Sequence, residues 1–405
     1  MSWSAATLGD VVERDGGLIQ TGPFGSQLHQ SDYVTEGIPV IMPKDIANGR
    51  VDADSVARVS EQTASRLSRH QLRPRTIVLP RRGEITKRAF IREDQTGWLC
   101  GTGCLQIVLE GKHLLPEFLY YYMEQQEVAG WLEQHAVGTT MLNLSTGIVT
   151  QLPLKYPAPA VQRRIADILA AYDDLIENNR RRMALLEDAA RQLYREWFVR
   201  PRFPGHEHTP ITNGEPKGWE AKTLGCLCDE IRETVNPNAI EPDTPYIGLE
   251  HMPRRAISLS DWGTAEQITS SKHRFREGEI LFGKIRPYFH KVGIAFVDGV
   301  ASSDAIVIRP LEPTLRGFVL LTVSSDPFVA VTAQTMKEGS KMPRADWKQM
   351  QAYPTPLPPA GLLGSFESAI QPIFEQLKTL AFASRKLRAA RDLLLPRLMS
   401  GQVAV

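Results

Sequence analysis

Three acidic residues within five positions, Asp173, Asp174 and Glu177, form the grouping in this sequence that most invites acid–base or cation chemistry. Their neighbours argue against it. Asn178, Asn179 and the run Arg180-Arg181-Arg182 follow directly in a stretch of helical periodicity. The carboxylates therefore read as the solvated, ion-paired face of a helix. The cysteines come as Cys100/Cys104 and Cys226/Cys228, neither with the CxxC spacing of a zinc ribbon. They read as free, buried thiols of a reducing compartment. Nine scattered histidines support no Ser/His/Asp arrangement. An Asn/Asp-Pro-Pro-aromatic motif for methylating a base amino group is absent, as are a glycine-rich methyl-donor or dinucleotide fingerprint and a GxxxxGK phosphate loop. The expectation is a chain without a catalytic site, metal or cofactor of its own.

What does cluster is positive charge. Between Gln62 and Arg92 stand Arg66, Arg69, Arg73, Arg75, Arg81, Arg82, Lys87, Arg88 and Arg92 against one acid, Glu84. Some two hundred residues later come Lys272, His273, Arg274, Arg276, Lys284, Arg286, His290 and Lys291. Two such strips in a chain of net charge +1 are local features, not the by-product of a basic protein. Arginine and lysine neutralise phosphates and release counterions, and arginine also grips guanine O6/N7 with two parallel hydrogen bonds. Small-residue loops, Thr21-Gly22-Pro23-Phe24-Gly25-Ser26-Gln27, Gly138-Thr139-Thr140 and Gly339-Ser340-Lys341, add backbone donors suited to phosphate or plain turns. The candidate DNA contacts of the first half are Ser26, Gln27, Lys44, Arg66, Arg69, Arg81, Arg82, Lys87, Arg88, Thr139, Thr140 and Asn143. Those of the second half are Lys272, Arg274, Lys284, Arg286, Tyr288, His290, Lys291, Ser340, Lys341 and Arg344.

The strips recur because the chain is written twice. Trp3-x4-Leu8-Gly9 returns as Trp219-x4-Leu224-Gly225, and Ile38-Pro39-Val40-Ile41 resembles Thr244-Pro245-Tyr246-Ile247. Gly138-Thr139-Thr140-Met141-x-Asn143 returns as Gly339-Ser340-Lys341-Met342-x-Arg344. Pro159-Ala160 matches Pro359-Ala360, and Ala189-Ala190-Arg191-x-Leu193 matches Ala389-Ala390-Arg391-x-Leu393. A period near 200 residues is too long for a solenoid. The plan is head, helix, head, helix, with boundaries at 1–157, 158–202, 203–357 and 358–405. The heads read as mixed α/β: Thr76–Leu79, Leu105–Leu109 and Ala305–Ile308 as buried strands, Pro116–His135 as helical.

Each head is followed by a long amphipathic stretch. The first places Ile165, Ile168, Tyr172, Leu175, Asn179, Leu186, Ala189 and Leu193 in a heptad rhythm, with Arg182 as an interruption. The second repeats it with Leu363, Phe366, Ile370, Ile373, Leu377, Leu380, Ser384 and Leu387. Helices of about 35–40 residues would be roughly 55–60 Å long. They could pack on their own heads, or pair with each other as an antiparallel coiled coil with pseudo-two-fold symmetry, and the chain order favours the pair. Pro372 should kink or interrupt the second helix, and Gly361 and Gly364 weaken its first turns.

At this point the residues resemble a known family, the specificity subunits of type I restriction–modification systems. The resemblance rests on Leu154–Ala166, Tyr172–Arg180 and Leu193–Phe198 in the first half. It continues in Gly278–Tyr288 and in the ending Arg391–Gly401, and so covers essentially the whole chain. The stretch Pro356–Gly361 departs from the family's usual helix start. The resemblance implies two tandem target-recognition domains of mixed α/β structure, each recognising one half of an asymmetric, interrupted target in double-stranded DNA. The paired helices would act as a ruler, and half-sites on one face of B-DNA lie roughly 34–36 Å apart. Shortening the first helix by the heptad Asp173–Asn179 should then change the gap alone. The implied partners are two adenine methyltransferase (modification) subunits, which bind S-adenosylmethionine, and, where present, restriction subunits using ATP and Mg.

The bulk numbers agree with a soluble globular protein. The 405 residues are 42% hydrophobic and 23% charged, and no apolar run approaches a membrane span. The start MSWSAATLGDVVERDGG has no signal-peptide pattern, so the expected location is the cytoplasm, with no membrane partner. A catalyst with divergent motifs would methylate or cut DNA alone. A coiled-coil scaffold would tolerate charge reversal along Arg81, Arg82, Lys284 and Arg286.

Overall fold

A computed structural model describes residues 3–53, 56–138, 141–212, 215–334 and 343–405. It divides into two compact units, Met1–Asp174 with Ala389–Val405, and Leu175–Arg388. Each unit therefore takes in one head and part of both long helices.

In the first unit the apolar runs pair into an antiparallel sheet ordered Leu18–Thr21, Cys104–Val108, Ile77–Pro80, Ala89–Phe90. A second sheet runs Leu99–Cys100, Ile38–Ile41, Ala57–Val59, Tyr33–Val34, its first pair parallel. The second unit repeats the plan. Its sheets are Cys228–Ile231, Ala305–Pro310, Ile280–Gly283, Val292–Ala295, Ser258–Leu259, and Thr234–Val235, Lys272–Phe275, Gly299–Ala301, Pro245–Ile247, Gly263–Thr264. The parallel pair recurs as Gly299–Ala301 on Pro245–Ile247. The inner strands of the first sheet, two in the first unit and three in the second, are near-continuous apolar runs because both of their faces are covered. Helices Pro116–Tyr122 and Gln126–His135 correspond to Arg316–Val323 and Asp326–Gln334. The stretch Pro116–His135, expected to be helical, is two helices. Glu124 and Gln125 make short-range turn bonds to Tyr121 O and Tyr122 O, and the Glu124 carboxylate turns to Arg88 and Arg391.

The first long helix is Pro159–Tyr194, continued by a π-helical turn Arg195–Val199. Its buried stripe follows Ile165, Leu169, Tyr172, Ile176, Asn179, Met183, Leu186, Ala190, Leu193 and Trp197, in alternating steps of four and three. The expected seam shares Ile165, Tyr172, Asn179, Leu186 and Leu193 but is one residue short at every second step. Leu175 is 51% exposed, and Ala189 and Arg182 are exposed too. At 3.6 residues per turn, i+3 and i+4 flank the same line, and Ile168-Leu169, Leu175-Ile176 and Ala189-Ala190 offer an apolar residue at both. Only Arg182 beside Met183 distinguishes the two registers. Arg182 is no interruption; it lies off the stripe.

The second long helix, Ala360–Met399, runs unbroken through Pro372. The expected interruption is absent for a physical reason. Pro372 is exposed, and so is Ser368, whose carbonyl loses its donor, so water can take that bond. In the first turns, where Gly361 and Gly364 add no side chain, the hydroxyls of Ser365 and Ser368 donate back to Gly361 O and Gly364 O at 2.9 and 2.8 Å.

Contacts inside each unit give the helices an antiparallel sense. In the second unit the rings of Tyr194, Trp197 and Phe198 surround Phe366 at centroid distances of 6.5, 5.5 and 4.7 Å. In the first, Arg391 Nη1 donates to Asp173 Oδ1 at 2.6 Å, and Leu395, Leu398 and Met399 join the core of Ile165, Ala166 and Leu169. Equivalent polar clamps hold each head to the start of the helix that follows it. Gln162 Oε1 accepts from Leu115 N at 2.8 Å, while Glu367 Oε2 accepts from Gly317 N at 2.8 Å and its other oxygen takes Arg316. Among the described residues no single helix is long and apolar enough to cross a membrane.

Candidate nucleic-acid interface

An inner strand of each unit runs on into basic residues, Arg81 and Arg82 in the first and Lys284 and Arg286 in the second, and the two ends are held alike. Beyond Ile77–Pro80, Arg81 N donates to Gly103 O and Leu144 N donates to Arg81 O, at 2.6 and 2.8 Å. Beyond Ile280–Gly283, Lys284 N donates to Asp304 O and Ala345 N donates to Lys284 O, at 2.7 and 2.9 Å. Arg82 forms a bridge with Asn143, and Ile285 forms one with Arg344. Arg81 therefore corresponds to Lys284, Arg82 to Ile285, Gly83 to Arg286, and Asn143 to Arg344. The residues differ at every one of these positions. Of the stretches that sequence reasoning paired as Gly138–Asn143 and Gly339–Arg344, the described ends Asn143 and Arg344 meet this strand end. Thr139, Thr140, Ser340 and Lys341 lie outside the described residues.

In the first unit, Arg81 Nε also donates to Leu144 O at 3.1 Å, and its guanidinium sits 5.9 Å from the Phe24 ring, which is 58% exposed. Arg82 is exposed and meets no acid among the described residues. Ser26 and Gln27 are exposed on the neighbouring loop. That loop is less of a phosphate cradle than its glycines imply, because several amides are spoken for. Phe24 N donates to Gln27 Oε1, Gly22 N to Cys104 O, and Gln27 N and Leu28 N to Phe24 O. Arg66 braces it from behind through Gln27 O at 2.7 Å and Asp32 at 3.3 Å. Lys44 is exposed, 4.0 Å from Asp45. Lys87 pairs with Glu84. Arg69 is exposed elsewhere, on a cleft of about 660 Å³ lined by Gln20, Gln71, Arg73 and Gln106.

In the second unit the strand end opens into the loop Lys284–Lys291. Lys284 is half-buried, its Nζ donates to Ser303 O at 3.1 Å, and burial lowers its pKa from the ordinary lysine value. Arg286 and His290 both adopt the left-handed conformation, at φ 48° and 54°, where Gly83 has φ 78° in the first unit. For residues other than glycine that region costs roughly 1–2 kcal/mol each. Tyr288 is 52% exposed and meets Phe289 edge-on at 5.0 Å. Phe289 carries two guanidinium groups, Arg254 at 4.1 Å and Arg286 at 5.8 Å. Arg344 pairs with Asp304 at 3.3 Å, Arg274 with Glu233 at 3.5 Å, and Lys291 donates to Leu249 O.

Three expected contacts are corrected by burial. Arg88 donates to Tyr120 O at 2.8 Å, pairs with Glu124 at 2.7 Å and lies over the Tyr120 ring, its side chain only 11% exposed. Lys272 is 8% exposed, with Nζ bonded to Ser270 O and Oγ at 3.0 and 2.7 Å. His290 is 7% exposed, its Nε2 2.7 Å from Ser324 O, and burial holds its pKa below the usual histidine value. All three hold structure together; a linear strip of charge does not show which side chains turn inward. Of the cysteines, Cys100, Cys104 and Cys228 are buried as expected, with Cys100 and Cys228 pushed up to about 12 by burial, but Cys226 is exposed. Sequence reasoning passed over Phe24, Phe289 and Arg254. Aromatic residues interleaved with basic ones in Gly- and Pro-bearing loops were the available signal.

Two like units, each with an exposed arginine (Arg82, Arg286) and a basic–aromatic contact (Arg81 with Phe24, Arg286 with Phe289) past the end of an inner strand, have the surface of a two-headed nucleic-acid-recognition protein. Among the described residues no group of three or more His, Cys, Asp or Glu could hold a metal. Residues 2–188 match the family "type I restriction modification DNA specificity domain". The chain is 24% identical over 428 residues to the type I restriction enzyme MjaIX specificity subunit of Methanocaldococcus jannaschii, covering 100% of this chain and 94% of that protein. It is 29% identical over 384 residues to the HindI specificity subunit of Haemophilus influenzae, covering 78% and 83%. The crystal structure of the S subunit of a type I restriction-modification system from M. genitalium shares the fold, with a TM-score of 0.58 at 14% identity over 98% of this chain and 96% of that one. Residues 2–188 thus match a DNA specificity domain, and the chain as a whole is similar in sequence to type I restriction enzyme specificity subunits.

Proposed function

We propose that each unit reads one half of an asymmetric, interrupted target in double-stranded DNA, while the long helices set the gap and dock the partner subunits. The observation that carries this reading is the equivalence of the two strand ends together with their different residues: Arg81, Arg82, Gly83 and Asn143 against Lys284, Ile285, Arg286 and Arg344. Equivalent frames place the loops alike, and unlike side chains select unlike bases. The partners are two adenine methyltransferase subunits, which bring S-adenosylmethionine, and restriction subunits that use ATP and Mg. This chain binds neither cofactor itself, and it works in the cytoplasm.

Methylation mapping tests this in cells expressing the chain with its methyltransferase subunit, against a deletion of the chain. Adenine methylation at a split, asymmetric motif that vanishes in the deletion is the expected result; a map unchanged by the deletion overturns the reading. The double variant Arg81→Glu/Arg82→Glu should lower the assembled complex's affinity for its target at least about 30-fold, at two contacts of 1 kcal/mol or more each. Its unfolding temperature should stay that of the parent, since Arg82 is exposed and Arg81 partly so. Undiminished affinity would favour the scaffold reading.

A further inference from the structure

We propose that Arg286 reads a guanine in the second unit's half-site from a loop preformed for that purpose, with Arg254 beside it as a phosphate anchor. The proposal rests on the DNA-reading function above and names the side chains that perform it. The backbone at position 286 is left-handed, and the equivalent position in the first unit is glycine, the residue for which that conformation is free of strain. Arginine is therefore not there for the backbone's sake, and its side chain must supply the reason.

The loop around it is fixed at several points. Arg286 N donates to Pro343 O at 2.9 Å, Phe289 N donates to Arg286 O at 2.8 Å, and Gly283 N donates to Lys291 O at 2.8 Å. The buried His290, bonded to Ser324 O, anchors the far side. A guanidinium carried on such a frame reaches its ligand with little further ordering. Arg286 is exposed, and among the described residues it faces no carboxylate, whereas Arg274 and Arg344 of the same unit are paired with Glu233 and Asp304. A fork of parallel N–H donors matches guanine O6 and N7 in the major groove. Arg254, exposed and stacked on the same Phe289 ring from an unstrained position, supplies charge without that fixed aim, which suits a phosphate.

The test is selection from random double-stranded DNA by the chain assembled with its methyltransferase subunits. Arg286→Gly installs the residue that the first unit uses, so the loop should keep its shape and the variant should unfold at the parent's temperature. Discrimination at one base pair of one half-site should fall about 10- to 100-fold, with the other half-site selected as before. Arg286→Lys should keep affinity better than Arg286→Gly without restoring that stringency. Arg254→Ala should weaken binding to all sequences alike and lower the slope of log affinity against log salt by about one. Unchanged stringency in Arg286→Gly overturns the proposal, whether or not the variant is destabilised. So does a loss spread over both half-sites, or a base-specific loss on Arg254→Ala instead. If the parent complex selects no split motif, the DNA-reading function fails first and the proposal with it; a parent that selects one confines any failure to Arg286.

Discussion

Truncation of Phe366 to alanine is expected to destabilise the second unit by about 3–5 kcal/mol, the cost of removing a fully buried phenylalanine. The ring has no solvent exposure and sits among Tyr194, Trp197 and Phe198. Phe198 in turn packs on Phe318 at 4.8 Å and Trp219 at 6.1 Å. One side chain thus joins the end of the first long helix, the start of the second and, through Phe198, the head of that unit, and the rings around it are stiff side chains. For a unit of this size each kcal/mol shifts the melting temperature by roughly 2–4 °C, so a fall of roughly 6–20 °C should follow. Tryptophan fluorescence reports it locally, since Trp197 and Trp219 belong to the same cluster. Leu175→Ala on the exposed face of the same helix pair should cost less than about 0.5 kcal/mol. Equal melting of the two variants would show that the helix pair is not what stabilises this unit.

The contrast between Phe366 and Leu175 also marks where the sequence was legible. The second helix's register was readable at Phe366, Ile370 and Leu377, which are flanked by polar or small residues, but not at Ile373-Phe374, where Phe374 is buried and the expected Ile373 only partly so. The first helix was ambiguous wherever apolar residues stand side by side, as at Leu175-Ile176. Duplication was legible because the same motifs stand in the same order in both halves, and the paired strand ends now explain why Asn143 and Arg344 recur at the end of theirs. What a linear pattern does not carry is direction. Arg82, Arg88 and Lys87 look alike in a run of charge, yet Arg82 faces solvent while Arg88 is folded over Tyr120. Backbone sign was equally hidden: nothing in the string announces that Arg286 occupies the place of Gly83.

The unlike strand ends and the like frames make a joint statement about how such a protein changes target. Frame contacts run through backbone atoms, Arg81 N to Gly103 O and Lys284 N to Asp304 O, so they hold whichever side chain is present. Side chains at the four equivalent positions can then vary without breaking that frame, though Arg81, Lys284 and Arg344 add bonds of their own to Leu144 O, Ser303 O and Asp304. The helix-start clamps, Gln162 on Leu115 and Glu367 on Gly317, are backbone-directed in the same way. In the proposed reading, recognition and architecture are thereby carried largely by different atoms of the same loops.

Lengthening both long helices by one heptad is expected to abolish methylation of the parental motif and to create a motif with the same two halves and a gap about three base pairs longer. Seven residues add about 10.5 Å at 1.5 Å each, and a base pair rises about 3.4 Å. Insertion is the cleaner change. Deleting Asp173–Asn179 would remove one of the carboxylates that Arg391 meets, Glu124 and Asp392 being the others, and the partner of the Tyr121 hydroxyl. Duplicating residues 176–182 after Arg182, and 381–387 after Leu387, leaves those contacts in place. The four-and-three rhythm survives because Met183 still falls one heptad after an isoleucine that repeats Ile176. Three base pairs also turn the duplex by roughly a hundred degrees, given 10–10.5 base pairs per turn, so affinity for the new site should fall below that of the parent. Methylation mapping in cells carrying the lengthened chain reads both halves and the gap at once. A lengthened chain that keeps the parental gap would mean that the helices dock partners without measuring DNA, and the spacing would then have to be set by those partners.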